Sequence, residues 1–144
     1  MIEQDTIRLL RECDKGIKMG ISSIEDVYGY AKDEKMKNAL YECKVKHERI
    51  RAEIEGMLDK YGDEGKNPNP MVKGMSWLKT NMKLAMKESD ATIASLMTDG
   101  CNMGVKSLSK FLNEYEAAEE RAKDIAKKLI SQEADLSVQM RDFL

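Results

Sequence analysis

Cys43 and His47 stand four residues apart, a spacing that puts a thiol and an imidazole on one face of an α-helix. Such a pair can ligate one soft metal ion such as zinc if Asp14 or Cys101 converges on it from neighbouring helices. The alternative for the same residues is a hydrogen-bonded core histidine beside thiols that behave as small buried hydrophobes. His47 is the only histidine in the chain. A lone imidazole with scattered carboxylates is too little for acid–base catalysis. No glycine-rich phosphate loop, nucleophile elbow or Ser-His-Asp arrangement is legible either. The sequence thus leans away from an enzyme, and no catalytic or cofactor-binding residue is assigned.

The elements that would position these groups are helices. Ile7, Leu10, Asp14, Ile17, Ile21, Ile24 and Tyr28 recur at alternating steps of three and four, which predicts one buried face on a helix from about Ile2 to Ala31. Asp33 is a fitting N-cap for a second helix, in which Met36, Leu40, Cys43, His47, Ile50, Ile54, Met57 and Tyr61 keep the same period. Gly62 follows as its stop. The stretch from Gly62 to Pro70 has loop composition, and 71–87 then reads as an extra helix. Its apolar stripe is Met71, Met75, Leu78, Met82 and Met86, and its only charges are Lys73, Lys79, Lys83 and Lys87. A third bundle helix is expected at about 90–115, through Ala94, Met97, Cys101, Gly104, Leu108 and Phe111. A fourth is expected at about 118–142, through Ala122, Ile125, Leu129, Gln132, Leu136 and Met140. Four long helices with a short first link and a long second one predict an all-α antiparallel bundle with a helical crossover, residues 1–144 forming one domain.

Composition narrows the setting. Twenty-four basic against 26 acidic residues give a net charge of −2, without the basic excess of a nucleic-acid binder. No apolar run approaches the ~18 residues of a membrane span, and no leader pattern opens the sequence. Cys13, Cys43 and Cys101 lack paired spacing and read as reduced thiols, so a cytoplasmic protein is expected.

The first hairpin, from Asp14-Lys15-Gly16 through Tyr28-Gly29-Tyr30-Ala31 to Glu53-Ile54-Glu55-Gly56-Met57-Leu58, resembles the opening of a ferritin-like bundle. Gly74-Met75-Ser76-Trp77-Leu78-Lys79 is similar to the crossover of a branch of uncharacterised bacterial ferritin-like domains. In metal-binding relatives such as rubrerythrins, the second and fourth helices each carry Glu-x-x-His, and the first and third each supply a Glu. Laid on that pattern, the second-helix motif falls on Lys44-Val45-Lys46-His47 and the fourth on Glu133-Ala134-Asp135-Leu136. The missing glutamates fall near Gly20 or Ile21 and near Asn102 or Met103. The resemblance thus implies a ferritin-like scaffold without a di-iron site.

The expected function follows: a metal-free bundle without a cofactor that acts by protein–protein contact or self-assembly, with a homodimer as the first form. Its contact surface is the 71–87 helix, through Met71, Met75, Trp77, Leu78, Lys79, Met82 and Lys83. The competing reading is a redox or storage protein holding iron or zinc in a rearranged site around Cys43, His47, Asp14 and Glu133. A third is a small-molecule binder with a Met-lined cavity.

Overall fold

A computed structural model describes residues 2–63, 65 and 89–144. Four long helices account for nearly all of them, and no strand occurs among the described residues. They are α1 (Ile2–Tyr28), α2 (Glu34–Lys60), α3 (Ser89–Glu114) and α4 (Glu120–Met140), with a short 3-10 turn at Arg141–Phe143. The expected crossover helix at 71–87, and with it Met71, Met75, Trp77, Leu78, Lys79, Met82 and Lys83, lies outside the described residues. No helix among the described residues is long and apolar enough to cross a membrane.

The helix ends follow from local chemistry. Tyr30 N–H bonds to the Val27 carbonyl at 2.9 Å, closing α1 at Tyr28 rather than at the expected Ala31. The Asp33 carboxylate caps α2, accepting from Lys35 N at 2.7 Å and Met36 N at 3.2 Å. At the other end of α2, Asp63 N–H reaches the Leu58 carbonyl and Gly62 N–H the Asp59 carbonyl. This pattern needs a left-handed residue, supplied by Gly62 at φ 69°. Arg11 then clamps Asp63 through two contacts of 3.0 Å. The guanidinium holds that carboxyl below its ordinary pKa, helped by the Gly65 N–H.

The links are also tied to distant helices. Asp90, in the first turn of α3, accepts from Lys32 N at 2.8 Å and Asp33 N at 3.1 Å in the α1–α2 turn. Thr6 and Asp5, at the start of α1, accept from Glu119 N and Ala117 N in the α3–α4 link. These bonds occupy the N–H groups of the two N-cap residues, Asp33 and Glu119, and of Lys32 and Ala117 shortly before them. The most extensive packing is of α1 along α2 and of α3 along α4. Further contacts join α1 to α3 and α4, and α2 to α4, an arrangement consistent with a four-helix bundle.

Most of the expected seam residues fill the core, but Ile7, Tyr61, Gly104 and Phe111 are only half-buried, and two further positions need correction. Val27 and Ala31, not Tyr28, close one end of the core, and Tyr28 is 39% exposed. Gln132, expected on the core face of the fourth helix, is only half-buried.

Candidate functional site

The apolar core is interrupted once along its length. One cluster of buried side chains includes Leu9, Leu10, Ile17, Ile21, Ile50, Ile54, Leu108 and Leu129. The other includes Ile24, Leu40, Cys43, Ile93, Cys101, Leu136 and Met140. On α2, α3 and α4 the two clusters are separated by several residues, and on α1 they meet between Ile21 and Ile24. The residues of this gap are 44–49 on α2, 102–107 on α3 and 131–135 on α4. His47 and Glu133 lie in that gap.

The imidazole of His47 is 1% exposed and holds two partners on opposite edges. Nε2 lies 3.1 Å from Glu133 Oε1, and Nδ1 lies 3.7 Å from the Cys43 sulfur. An ionised carboxylate only accepts, so the Nε2–H donates to Glu133; that assignment leaves Nδ1 to share a proton with the thiol. Burial penalises the imidazolium, yet the Cys43 sulfur and the Glu133 carboxylate together outweigh it. They raise the His47 pKa from 6.5 to about 10. Cys101, across on α3, lies near the same carboxylate, and its thiol is pushed well up by burial and then by the charge of Glu133.

Two glycines make the space. A Cβ on Gly20 would stand 3.1 Å from His47 Cδ2 and 3.2 Å from Nε2, and one on Gly104 would stand 3.4 Å from Glu133 Cδ. The missing third-helix carboxylate was expected near Asn102 or Met103. Both side chains are exposed, and Cys101 and Gly104 are the α3 residues that face the gap. Lys44 likewise points away, lying 3.9 Å from Glu25 and from Glu48 and 32% exposed. The α2 group in the gap beside His47 is therefore the thiol of Cys43, one turn earlier.

Of the four residues considered for a rearranged metal site, Cys43, His47 and Glu133 come together and Asp14 does not. Asp14 Oδ2 accepts from Lys18 at 2.7 Å, and the backbone of Gly65 packs against it. Nor do the three that meet converge on one point, because the imidazole ring stands between the sulfur and the carboxylate. Among the described residues no three His, Cys, Asp or Glu side chains are arranged to hold a metal ion.

Beside Cys43 a pocket of about 270 Å³ opens between α2 and α4. Cys43, Lys46, Gln132, Asp135 and Leu136 are among its lining residues. Gln132 Oε1 is buried with no hydrogen-bond partner among the described residues, as is Thr98 Oγ1 on α3. The sequence reading names Cys101 as a residue that could converge on the Cys43–His47 pair and puts Gly104 and Gln132 on core seams. The space left by Gly20 and Gly104 and the unpartnered Oε1 of Gln132 are absent from it. The only signal for the glycines is that each costs ~1 kcal/mol in a helix and so calls for a reason.

Comparison with family models, with curated proteins and with solved structures finds no match.

Proposed function

We propose that this chain is a ferritin-like bundle of antiparallel helices in which an internal ion pair replaces the di-metal centre, and that it works by protein–protein contact, first with a second copy of itself. The observation that carries the reading is the His47–Glu133 contact of 3.1 Å in the middle of the core, flanked by Gly20 and Gly104. In a carboxylate-bridged metal protein, four helices send ligands to that level. Here a proton shared between imidazole and carboxylate meets the charge requirement of the gap, and glycine hydrogens stand where two further ligands would be needed.

The antiparallel course is supported by the bonds from Asp90 to the α1–α2 turn and from Thr6 and Asp5 to the α3–α4 link. The case for contact through residues 71–87 rests on their sequence: methionines at helical spacing with only lysines for charge. Flexible, polarizable Met side chains suit an adaptable interface.

Elemental analysis and sedimentation of the native protein, with His47→Ala and a Met75→Glu, Met82→Glu double variant beside it, test the proposal. The expected result is no stoichiometric transition metal, a dimer for the native chain and a folded monomer for the double variant. Stoichiometric iron, manganese or zinc that is lost in His47→Ala replaces this reading with that of a metalloprotein. An oligomeric state untouched by the two glutamates removes residues 71–87 as the contact surface.

A further inference from the structure

Three groups in this core form a chain of contacts that a structural ion pair alone does not need. Sγ of Cys43 meets Nδ1 of His47 at 3.7 Å, Nε2 of the same ring meets Glu133 at 3.1 Å, and Cys43 also lines the 270 Å³ pocket between α2 and α4. Cys13 offers the contrast. It is fully buried among Leu and Ile side chains, and burial, followed by the charges of Glu12 and Asp14, pushes its thiol up to about 12.

We propose that Cys43 is a redox modification site: a thiol that reacts stoichiometrically with a small hydroperoxide entering the pocket, with His47 as the group that takes and returns the proton and Glu133 as the residue that positions His47. The proposal is independent of how the chain self-associates.

The choice of a hydroperoxide follows from the surroundings. Cys43 sits in the interior of α2, where its N–H and those of its neighbours are committed to the helix ladder. No backbone oxyanion hole is therefore available beside the sulfur, and acyl transfer has no support. Displacement at an O–O bond needs none. At about 270 Å³ the pocket falls just below the usual range for drug-sized ligands, which suits a small reagent. Gln132, which lines the same pocket, adds a polar amide side chain to its wall.

The step balances as follows. With the proton on Nδ1, the Cys43 sulfur attacks the distal peroxide oxygen, an S–O bond forms and the O–O bond breaks. The sulfur is oxidised by two electrons to a sulfenic acid and the peroxide is reduced. The departing alkoxide or hydroxide takes the Nδ1 proton and leaves as alcohol or water, and the ring then regains a proton from water. Glu133 holds the Nε2–H throughout, so Nδ1 always faces the sulfur.

The test treats the folded full chain with hydrogen peroxide and traps the product with a cyclic diketone that captures sulfenic acid, followed by peptide mapping. A Cys13→Ser, Cys101→Ser protein, in which Cys43 is the only thiol, is run beside the native chain. The expected result is one trapped adduct on Cys43 in both proteins. Glu133→Gln is expected to slow its formation by about a hundredfold, the lower range for loss of a positioned acid–base group. Because His47 is the only imidazole, its two nitrogen resonances report the mechanism directly. Oxidation should move the Nδ1 signal and leave Nε2 in place. Glu133→Gln should also shift the pH profile of adduct formation, which a purely structural role for Glu133 would leave unmoved. Adducts that appear first on Cys13 or Cys101, or on Cys43 only after unfolding, overturn the proposal. So does an unchanged rate in a folded Glu133→Gln protein.

Discussion

The part of the core built around Leu9, Leu10, Ile17 and Ile54 and the level built around His47 solve the same packing problem in opposite ways. In the first, branched aliphatic side chains fill the space between helices, and Cys13 is one more apolar group among them. At the second, two glycines recede, an imidazole and a carboxylate meet in the space, Cys43 hydrogen-bonds the imidazole and Cys101 stands near the carboxylate. The apolar level is held by area removed from water, a term insensitive to pH. The polar level is held by charge and hydrogen bonds in a poorly solvated place, where each group is costly without its partner. The same residue type is therefore a filler at one level and a proton donor at the other, according to what stands within 4 Å of its sulfur.

Truncation should separate the two levels most clearly. Ile54→Ala removes a fully buried side chain from the aliphatic level and is expected to cost roughly 3–4 kcal/mol at any pH near neutrality, read from urea midpoints. His47→Leu fills its own volume but strands Glu133, and is expected to cost about 2–3 kcal/mol. Its cost should depend on pH, with a definite sign. The folded pKa of His47 lies above its unfolded value, so the pair's contribution is complete below pH 6.5 and is lost as pH rises through about 10. The difference between wild type and His47→Leu should therefore shrink on the alkaline side while that for Ile54→Ala stays level. Parallel curves for the two variants would mean that His47 acts by packing alone.

The four helices were legible in the sequence because their apolar residues repeat with the turn of a helix and because Asp33 and Gly62 mark ends by mechanisms that need no tertiary context. Periodicity gives an angle around the helix axis, however, and not the length over which a core extends. Tyr28 lies five full turns after Leu10 and so faces the same side, yet it is the last residue of its helix and stands at the end of the core. The site was legible in half. Cys43 and His47 belong to one helix, so their meeting follows from spacing. Glu133 is 86 residues from His47, and its arrival depends on the register of α4 against α2, which no local pattern encodes. The resemblance to ferritin-like bundles brought Glu133 into consideration but directed attention to Lys44, one residue from the side chain that faces the gap.

Glycine substitutions probe the smallest part of the contrast. Alanine in place of glycine within a helix ordinarily gains about 1 kcal/mol. At Gly100 nothing lies within 4 Å of the new methyl, so Gly100→Ala should show that full gain in thermal unfolding. At Gly104 the nearest atom is the side-chain carboxyl carbon of Glu133 at 3.4 Å, an ordinary contact, and roughly half of the gain should survive. At Gly20 the methyl would press on His47 at 3.1 Å, and the ring is tethered at both nitrogens and cannot withdraw without stretching one contact. Gly20→Ala is therefore expected to lose about 1 kcal/mol net, overpacking outweighing the helix gain. The order Gly100, Gly104, Gly20 is the sensitive readout, because helix propensity is common to all three and cancels. If Gly20→Ala proves as stabilising as Gly100→Ala, the imidazole has room to move, and the polar level is a loosely filled gap in place of a fixed arrangement of proton-sharing groups.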